Sequence, residues 1–185
     1  MKYFRLKYII FIFKIIFYKI KFRNKIKFSN PTVGIEKSTK ILIDNSNSRI
    51  TFGNFVYLYR YGNLEAYDNG HIHFGNNVSI NKGFSIVARK NIKIGNDVIM
   101  GPNVMIYDHN HSFNSNDKPY RLQGYTTKEI LIENNVWIGA NVFISSGVKI
   151  GKNSVIAAGS IVVKDVDANS LYAGNPAVFI KKLYG

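Results

Sequence analysis

A chain of 185 residues, 46% of them apolar and with a mean hydropathy of −0.07, has the size and composition of one soluble globular domain able to bury a core. It contains no cysteine, which excludes disulfides, thiolate metal sites and a cysteine acyl-enzyme. The net charge of +14 is uneven: residues 1–27 carry nine Lys or Arg and no acid, and the other 16 basic residues face 11 acids, leaving +5 elsewhere.

The N-terminal stretch MKYFRLKYIIFIFKIIFYKIKFRNKIKF interleaves Lys2, Arg5, Lys7, Lys14, Lys19 and Lys21 with Ile, Phe and Tyr. Its uncharged run Tyr8–Phe13 is far shorter than the ~20 apolar residues of a spanning helix, and Lys14 would fall mid-membrane. A secretory signal, with its unbroken apolar stretch and small-residue cleavage site, does not match either. Residues 1–30 are therefore predicted to form a basic amphipathic helix, with residues 1–27 lying on an anionic membrane surface. The plainer alternative is a helix that packs on its own oligomer. Nucleic acid is not expected as a partner, because so much Ile and Phe would be left exposed.

From about residue 50 to 167 an aliphatic or aromatic residue recurs every six positions. One series is Ile132, Ile138, Ile144, Ile150, Ile156, Val162; another is Phe74, Ile80, Ile86, then after two extra residues Ile94, Met100, Ile106, with weaker members at Phe52, Leu58 and Leu64. Three positions beyond the aliphatic stands Asn, Asp or Gly in ten of twelve hexads: Asn77, Gly83, Asp97, Asn103, Asn135, Asn141, Gly147, Asn153, Gly159 and Asp165. These types tolerate a left-handed backbone, so a corner is predicted every six residues. Three short strands and three corners close an 18-residue triangular coil with the aliphatics inside, and coils stack at about 4.8 Å.

Two hexads break the rule, and departures from a local pattern concentrate at functional sites. In Ile86–Asn91 the corner is Arg89 and two residues are added. In Ile106–His111 the hexad reads I-Y-D-H-N-H with His109 at the corner, and a polar excursion over 112–131 follows before the phase returns at Ile132. A loop of that length on a solenoid is a lid or binding loop.

The stretch G-P-N-V-M-I-Y-D-H-N-H from Gly101, then N-V-W-I-G-A from Asn135, A-A-G-S-I-V-V-K-D from Ala157 and A-G-N-P-A from Ala173 resembles, in order and spacing, the hexapeptide-repeat acyltransferases of the galactoside, maltose and capsule O-acetyltransferase branch. The resemblance covers about residues 50–182. It implies an all-β fold, a left-handed parallel β-helix over residues 31–185 shaped as a triangular prism, with the N-terminal helix and a short C-terminal tail. It further implies acetyl-CoA as co-substrate, a homotrimer with active sites between subunits, and a sugar hydroxyl of a cell-surface glycan as acceptor. The family's catalytic histidine falls on His111, its asparagine one coil earlier on Asn81 and its active-site aromatic on Trp137. Tyr107 and Arg121 join Trp137 on the acceptor side, and the CoA groove maps onto Ala140, Ala158, Lys164 and Lys181. Val178 and Val163 depart from residues frequent in relatives, arginine and threonine respectively.

The chemistry agrees with the histidine assignment. A sugar hydroxyl needs a base as it attacks a thioester, and imidazole titrates in the right range. Asn81 or turn amides would donate to the oxyanion. His111 and Asn81 sit on different faces of the triangle and meet only across a subunit boundary. Asp108 is given a supporting role, orienting an imidazole or capping its turn; His109 is not read as the base, and His71 and His73 are read as ordinary exposed residues. No metal site is expected. A γ-class carbonic anhydrase would need a different histidine spacing from these two H-x-H pairs, and a non-enzymatic membrane-bound β-helical scaffold would need neither base nor loop. The basic helix favours a lipid-linked acceptor and a peripheral, cytoplasmic position at the inner face of the cell membrane.

Overall fold

The computed structural model describes residues 2–44 and 46–184, and the coil predicted from the hexads is there. Three parallel sheets run the length of the molecule. The first face includes Ile26–Phe28, Arg49–Phe52, His71–Phe74, Asn91–Ile94, Ile130–Ile132 and Lys149–Ile150; the second includes Tyr57–Leu58, Ser79–Ile80, Ile99–Met100, Trp137–Ile138 and Val155–Ile156; the third includes Asn63–Ala66, Ser85–Ala88, Met105–Tyr107, Phe143–Ile144 and Ile161–Val162. Because side chains alternate across a strand, each short strand turns its aliphatic inward, where like stacks on like. Leu64, Ile86, Ile106, Ile144 and Val162 form one such column in register. Phe28, Phe52 and Phe74 form another, their rings stacked 5.0 Å apart and nearly parallel. All eight of these are at most 9% exposed.

Corners behave as the pattern requires. Nine of the ten Asn, Asp and Gly corner positions adopt positive φ, and the tenth, Asp165, instead accepts from the Lys149 amide at 2.8 Å. On the edge between the first and second faces the amides of Asn54, Asn76 and Asn96 each donate at 2.8 Å to the next coil's asparagine Oδ1, the last acceptor being Asn134. This ladder satisfies backbone groups that a tight corner otherwise strands. Asn135, at φ +55°, is a test: Asn135→Ala is expected to cost about 1–2 kcal/mol, since alanine lacks the short polar side chain that makes asparagine tolerant of the left-handed region and that here donates to Asn153 Oδ1 at 3.0 Å, while Asn135→Gly costs less. A denaturant midpoint unchanged by the alanine would show that the corner does not select its residue.

The coil starts earlier than the hexad phase indicates. Its first strand is Ile26–Phe28, ahead of both the boundary at 31 and the first periodic residues near 50. In-register partners show why: Ile26 and Ile50 are 24 residues apart, Ile50 and Ile72 22, Ile72 and Ile92 20, and only at Ile132 and Ile150 does the spacing become 18. The C-terminal tail is also more than a tail. Ser170–Gly174 extends the second sheet and Ala177–Lys182 folds back on it antiparallel.

The N-terminal helix spans Lys2–Phe22, but it is docked on the prism rather than projecting from it. Phe11 and Ile15 are buried, Tyr18 and Phe22 pack partly, and this i, i+4, i+7, i+11 stripe meets the first coils. The Phe11 ring stands edge-on to Tyr57 at 5.7 Å, and Lys14 Nζ donates to the Ile35 carbonyl at 2.9 Å. Burial pulls the Lys14 ammonium below its ordinary pKa, although Glu36 opposes it. The opposite stripe is apolar too. Ile9, Phe13, Ile16, Phe17 and Ile20 are exposed, so the amphipathic helix expected from the sequence is corrected to one with an apolar docked face, an apolar outer face and cations beside them. Among the described residues no helix is long and apolar enough to cross a membrane.

Candidate active site

The excursion predicted over 112–131 is a β-hairpin anchored at both ends. His109–His111 pairs antiparallel with Tyr125–Thr127, setting His111 opposite Tyr125, and the coil resumes at Ile130, paired with Ile92. The hairpin therefore begins three residues before the predicted loop. Its tip is tied by Gln123, whose Oε1 accepts from the Ser115 amide at 3.0 Å and whose Nε2 donates to the carbonyls of Ser115 at 2.9 Å and Lys118 at 2.7 Å. Its base is tied by the Asp108 carbonyl, which accepts from the Lys128 amide at 2.9 Å and the Ser146 hydroxyl at 3.0 Å.

His111 is exposed and lines a cleft of about 530 Å³ with Phe113, Tyr120 and Arg121. The Tyr125 ring is centred 4.6 Å from the imidazole and tilted 37° to it. Arg121, assigned to the acceptor from the sequence, is thus brought to His111. Tyr107 is not in that cleft; it lies on the outer side of the third face, its hydroxyl 3.1 Å from Ser85 Oγ and its ring edge-on to Phe143.

Asp108 is fully buried, in the inward position beneath Ala88. Its carboxylate accepts from the amides of Arg89 and Lys90, both at 2.8 Å, and lies 3.3 Å from His109 Nδ1. Of the two roles read from the sequence, turn-capping has the geometry. The cap is made for the neighbouring coil's corner, the one where Arg89 replaces Asn or Gly, and the imidazole it touches is that of His109 and not His111.

Asn81 is exposed at the edge between the second and third faces, where its Oδ1 accepts from the Lys82 amide at 2.8 Å. Ala140 and Ala158 follow along this edge, where coils approach closely: a Cβ on Gly139 would meet the Ala158 nitrogen at 2.5 Å and one on Gly101 the Ala140 nitrogen at 2.6 Å. Trp137 projects from the second face, 52% exposed, between Ile99 and Val155. Lys164 is exposed at the other edge of the third face, the one from which the hairpin leaves, and Lys181 on the last strand. One chain thus carries Asn81 and His111 on different edges and does not bring them together.

His71 and His73 alternate on the outer side of the first face. His73 Nδ1 is 2.7 Å from the Thr51 hydroxyl, and burial, then Lys93, lowers its pKa. Among the described residues no three His, Asp or Glu side chains are grouped to hold a metal ion. Tyr125 was not singled out by sequence reasoning, because it lies where the hexad phase lapses; Arg89 was visible as a broken corner but without a role.

The crystal structure of a hexapeptide-repeat acetyltransferase from Vibrio cholerae O1 biovar eltor, complexed with acetyl-CoA, matches with a TM-score of 0.64 and 32% identity over 72% of this chain and 70% of that one. This chain belongs to the hexapeptide-repeat acetyltransferase family. The family model "Bacterial transferase hexapeptide (six repeats)" matches residues 129–164, the stretch where the coil spacing has settled to 18. Among curated members of the family, the galactoside O-acetyltransferase of Lactococcus lactis is 42% identical over 60% of this chain and 53% of its own length. The putative lipopolysaccharide biosynthesis O-acetyl transferase WbbJ of Escherichia coli is 34% identical over 64% of each. The chain spans about half the length of the first of these relatives. The membership carries the fold with it, the left-handed β-helix expected above.

Proposed function

We propose that this protein transfers an acetyl group from acetyl-CoA to a hydroxyl of a cell-surface glycan, with His111 as the general base. The observation that carries the reading is the His111 imidazole, exposed in a cleft lined by aromatic rings and Arg121, on a coil whose relative was crystallised with acetyl-CoA. In this mechanism His111 takes the acceptor's hydroxyl proton as that oxygen bonds to the thioester carbonyl carbon. The tetrahedral intermediate collapses with cleavage of the carbon–sulfur bond, and the imidazolium returns its proton to the departing CoA sulfur. Asn81 donates to the oxyanion. Since His111 and Asn81 occupy different edges of one prism, the reading requires a neighbouring copy, and a homotrimer with sites between subunits meets that requirement. Ala140 and Ala158, on the small-residue edge, leave room for the CoA arm, with Lys164 and Lys181 toward its phosphates. Trp137, Tyr107 and Arg121 serve the sugar.

The glycan acceptor is supported by the galactoside and lipopolysaccharide roles of the two relatives. Purified protein incubated with acetyl-CoA and a panel of galactosides and glycan fragments should release free thiol only with an accepted sugar. Mass spectrometry of surface polysaccharide from a deletion strain should then show the missing acetyl. Acetyl-CoA left unconsumed with every sugar, together with an unchanged polysaccharide, would remove the reading.

The same proposal holds the protein at the cytoplasmic face of the membrane, on a lipid-linked acceptor. Its support is the outer stripe of the helix, where exposed Ile and Phe lie beside Lys19 and Lys21 in a segment without acids. Each cation near an anionic surface contributes about 1 kcal/mol. A truncation through residue 27 would cut into the Ile26–Phe28 strand, so the cleaner variant changes Phe13→Ser, Phe17→Ser and Ile20→Ser together and spares the docked stripe. It is expected to lose co-sedimentation with anionic vesicles while keeping its assembly state. Unchanged sedimentation would sink the membrane reading, and a change of assembly would assign the stripe to packing between copies.

A further inference from the structure

A general base is commonly oriented by a carboxylate hydrogen-bonded to its far nitrogen. Among the described residues of one chain no hydrogen bond or ion pair reaches the His111 ring, and the nearby buried carboxylate, Asp108, is committed to the amides of Arg89 and Lys90 and to His109. What touches the imidazole is the Tyr125 ring. Behind Tyr125 stands Arg89. Its guanidinium carbon lies 3.7 Å from the centre of the Tyr125 ring and 5.5 Å from that of Tyr67, and its Nη1 is paired with Asp68. The Arg89 side chain is 18% exposed, and its Nε is buried without a hydrogen-bond partner.

These contacts form a continuous chain, the guanidinium over the tyrosine ring and that ring against a tilted imidazole, crossing from one coil into the hairpin of the next. Arg89 is also the residue that breaks the corner rule, and Asp108 supplies the cap that lets it do so. A planar guanidinium suits a stack on a ring face, and Asp68 fixes its plane. Leaving Nε unpartnered is a cost that an arginine serving as an ordinary surface cation would avoid by turning to water.

We propose that Arg89 is a positioning residue of this site, orienting the His111 imidazole through Tyr125. The inference rests on the reading of His111 as the base, so its test has a readout that does not depend on turnover. In the full-length protein the His111 ring protons should carry a ring-current shift from Tyr125, observable by NMR. Tyr125→Phe keeps the ring and should keep both that shift and activity. Tyr125→Leu and Arg89→Met should lose the shift and lower kcat at least tenfold, of the order expected for a small misplacement of a catalytic group, with KM for acetyl-CoA within about twofold. Arg89→Lys, which keeps the charge but not the plane, should resemble Arg89→Met. An Arg89→Met variant that retains the shift overturns the proposal whatever its turnover. If His111→Ala remains active while Arg89→Met loses the shift, the positioning stands and the base assignment is what fails.

Discussion

Replacing His111 by alanine is expected to lower turnover by ~10²–10⁴-fold, the usual contribution of a positioned general base. The residue is exposed, so the change leaves no cavity, and the hairpin register around it is held by backbone pairing at His109–His111 and Tyr125–Thr127. Stability and assembly should therefore match the unchanged protein, which makes the loss attributable to chemistry. His109→Ala is the necessary companion. His109 has a side chain only 16% exposed, edge-on to Tyr125 at 5.5 Å and in contact with Asp108, so its removal should be felt in stability first and in turnover less. The comparison is decisive because the two histidines are two residues apart and share the same strand. If His109→Ala abolishes transfer and His111→Ala does not, the base is the inner histidine with Asp108 as its carboxylate, and the roles proposed here are exchanged.

How much of this was legible in the sequence depends on where the coil is regular. Ile144 and Val162 could be read directly, because three hexads of six residues carry one to the same inward position on the next coil, whereas Ile86, Ile106 and Ile144 join that column across the two added residues and the hairpin. Upstream, Ile26, Ile50 and Ile72 fill the equivalent interior column at spacings of 24 and 22, and no fixed period finds them. The helix was visible as a basic apolar segment. Its docking was not, because apolar residues surround it and nothing in their pattern says whether Phe11 or Phe13 faces inward. At the site, His111 and Arg121 were identified through the resemblance and the broken hexad, and the cleft unites them. Tyr125 and Arg89 come together only because an antiparallel pairing folds residue 125 back on residue 111, a tertiary event that no spacing records.

Asp108 is where the regular coil and the site depend on one another, and its removal is expected to have the second large effect. Two equivalent corners between the third and first faces are made by residues at positive φ, Asp68 with Asn69 and Gly147; the corner at Arg89 has instead two amides closed by the carboxylate of the next coil. In Asp108→Ala those amides lose their acceptor in a setting where the carboxylate itself is fully buried. An unsatisfied buried donor costs about 1–3 kcal/mol, so two give roughly 2–6 kcal/mol. Asp108→Asn should recover less than half, since one carboxamide oxygen satisfies one amide while its NH₂ confronts the other. Denaturant unfolding reads the global cost, and hydrogen exchange at the Arg89 and Lys90 amides locates it. Exchange should quicken there before it quickens at Ile144 or Val162, deep in the same face. The guanidinium loses its fixed backbone in the same step, so activity should fall with stability as the stack on Tyr125 loosens. A variant with unchanged exchange and midpoint but collapsed turnover would reverse the assignment: Asp108 would then act on an imidazole, and the turn would hold without it.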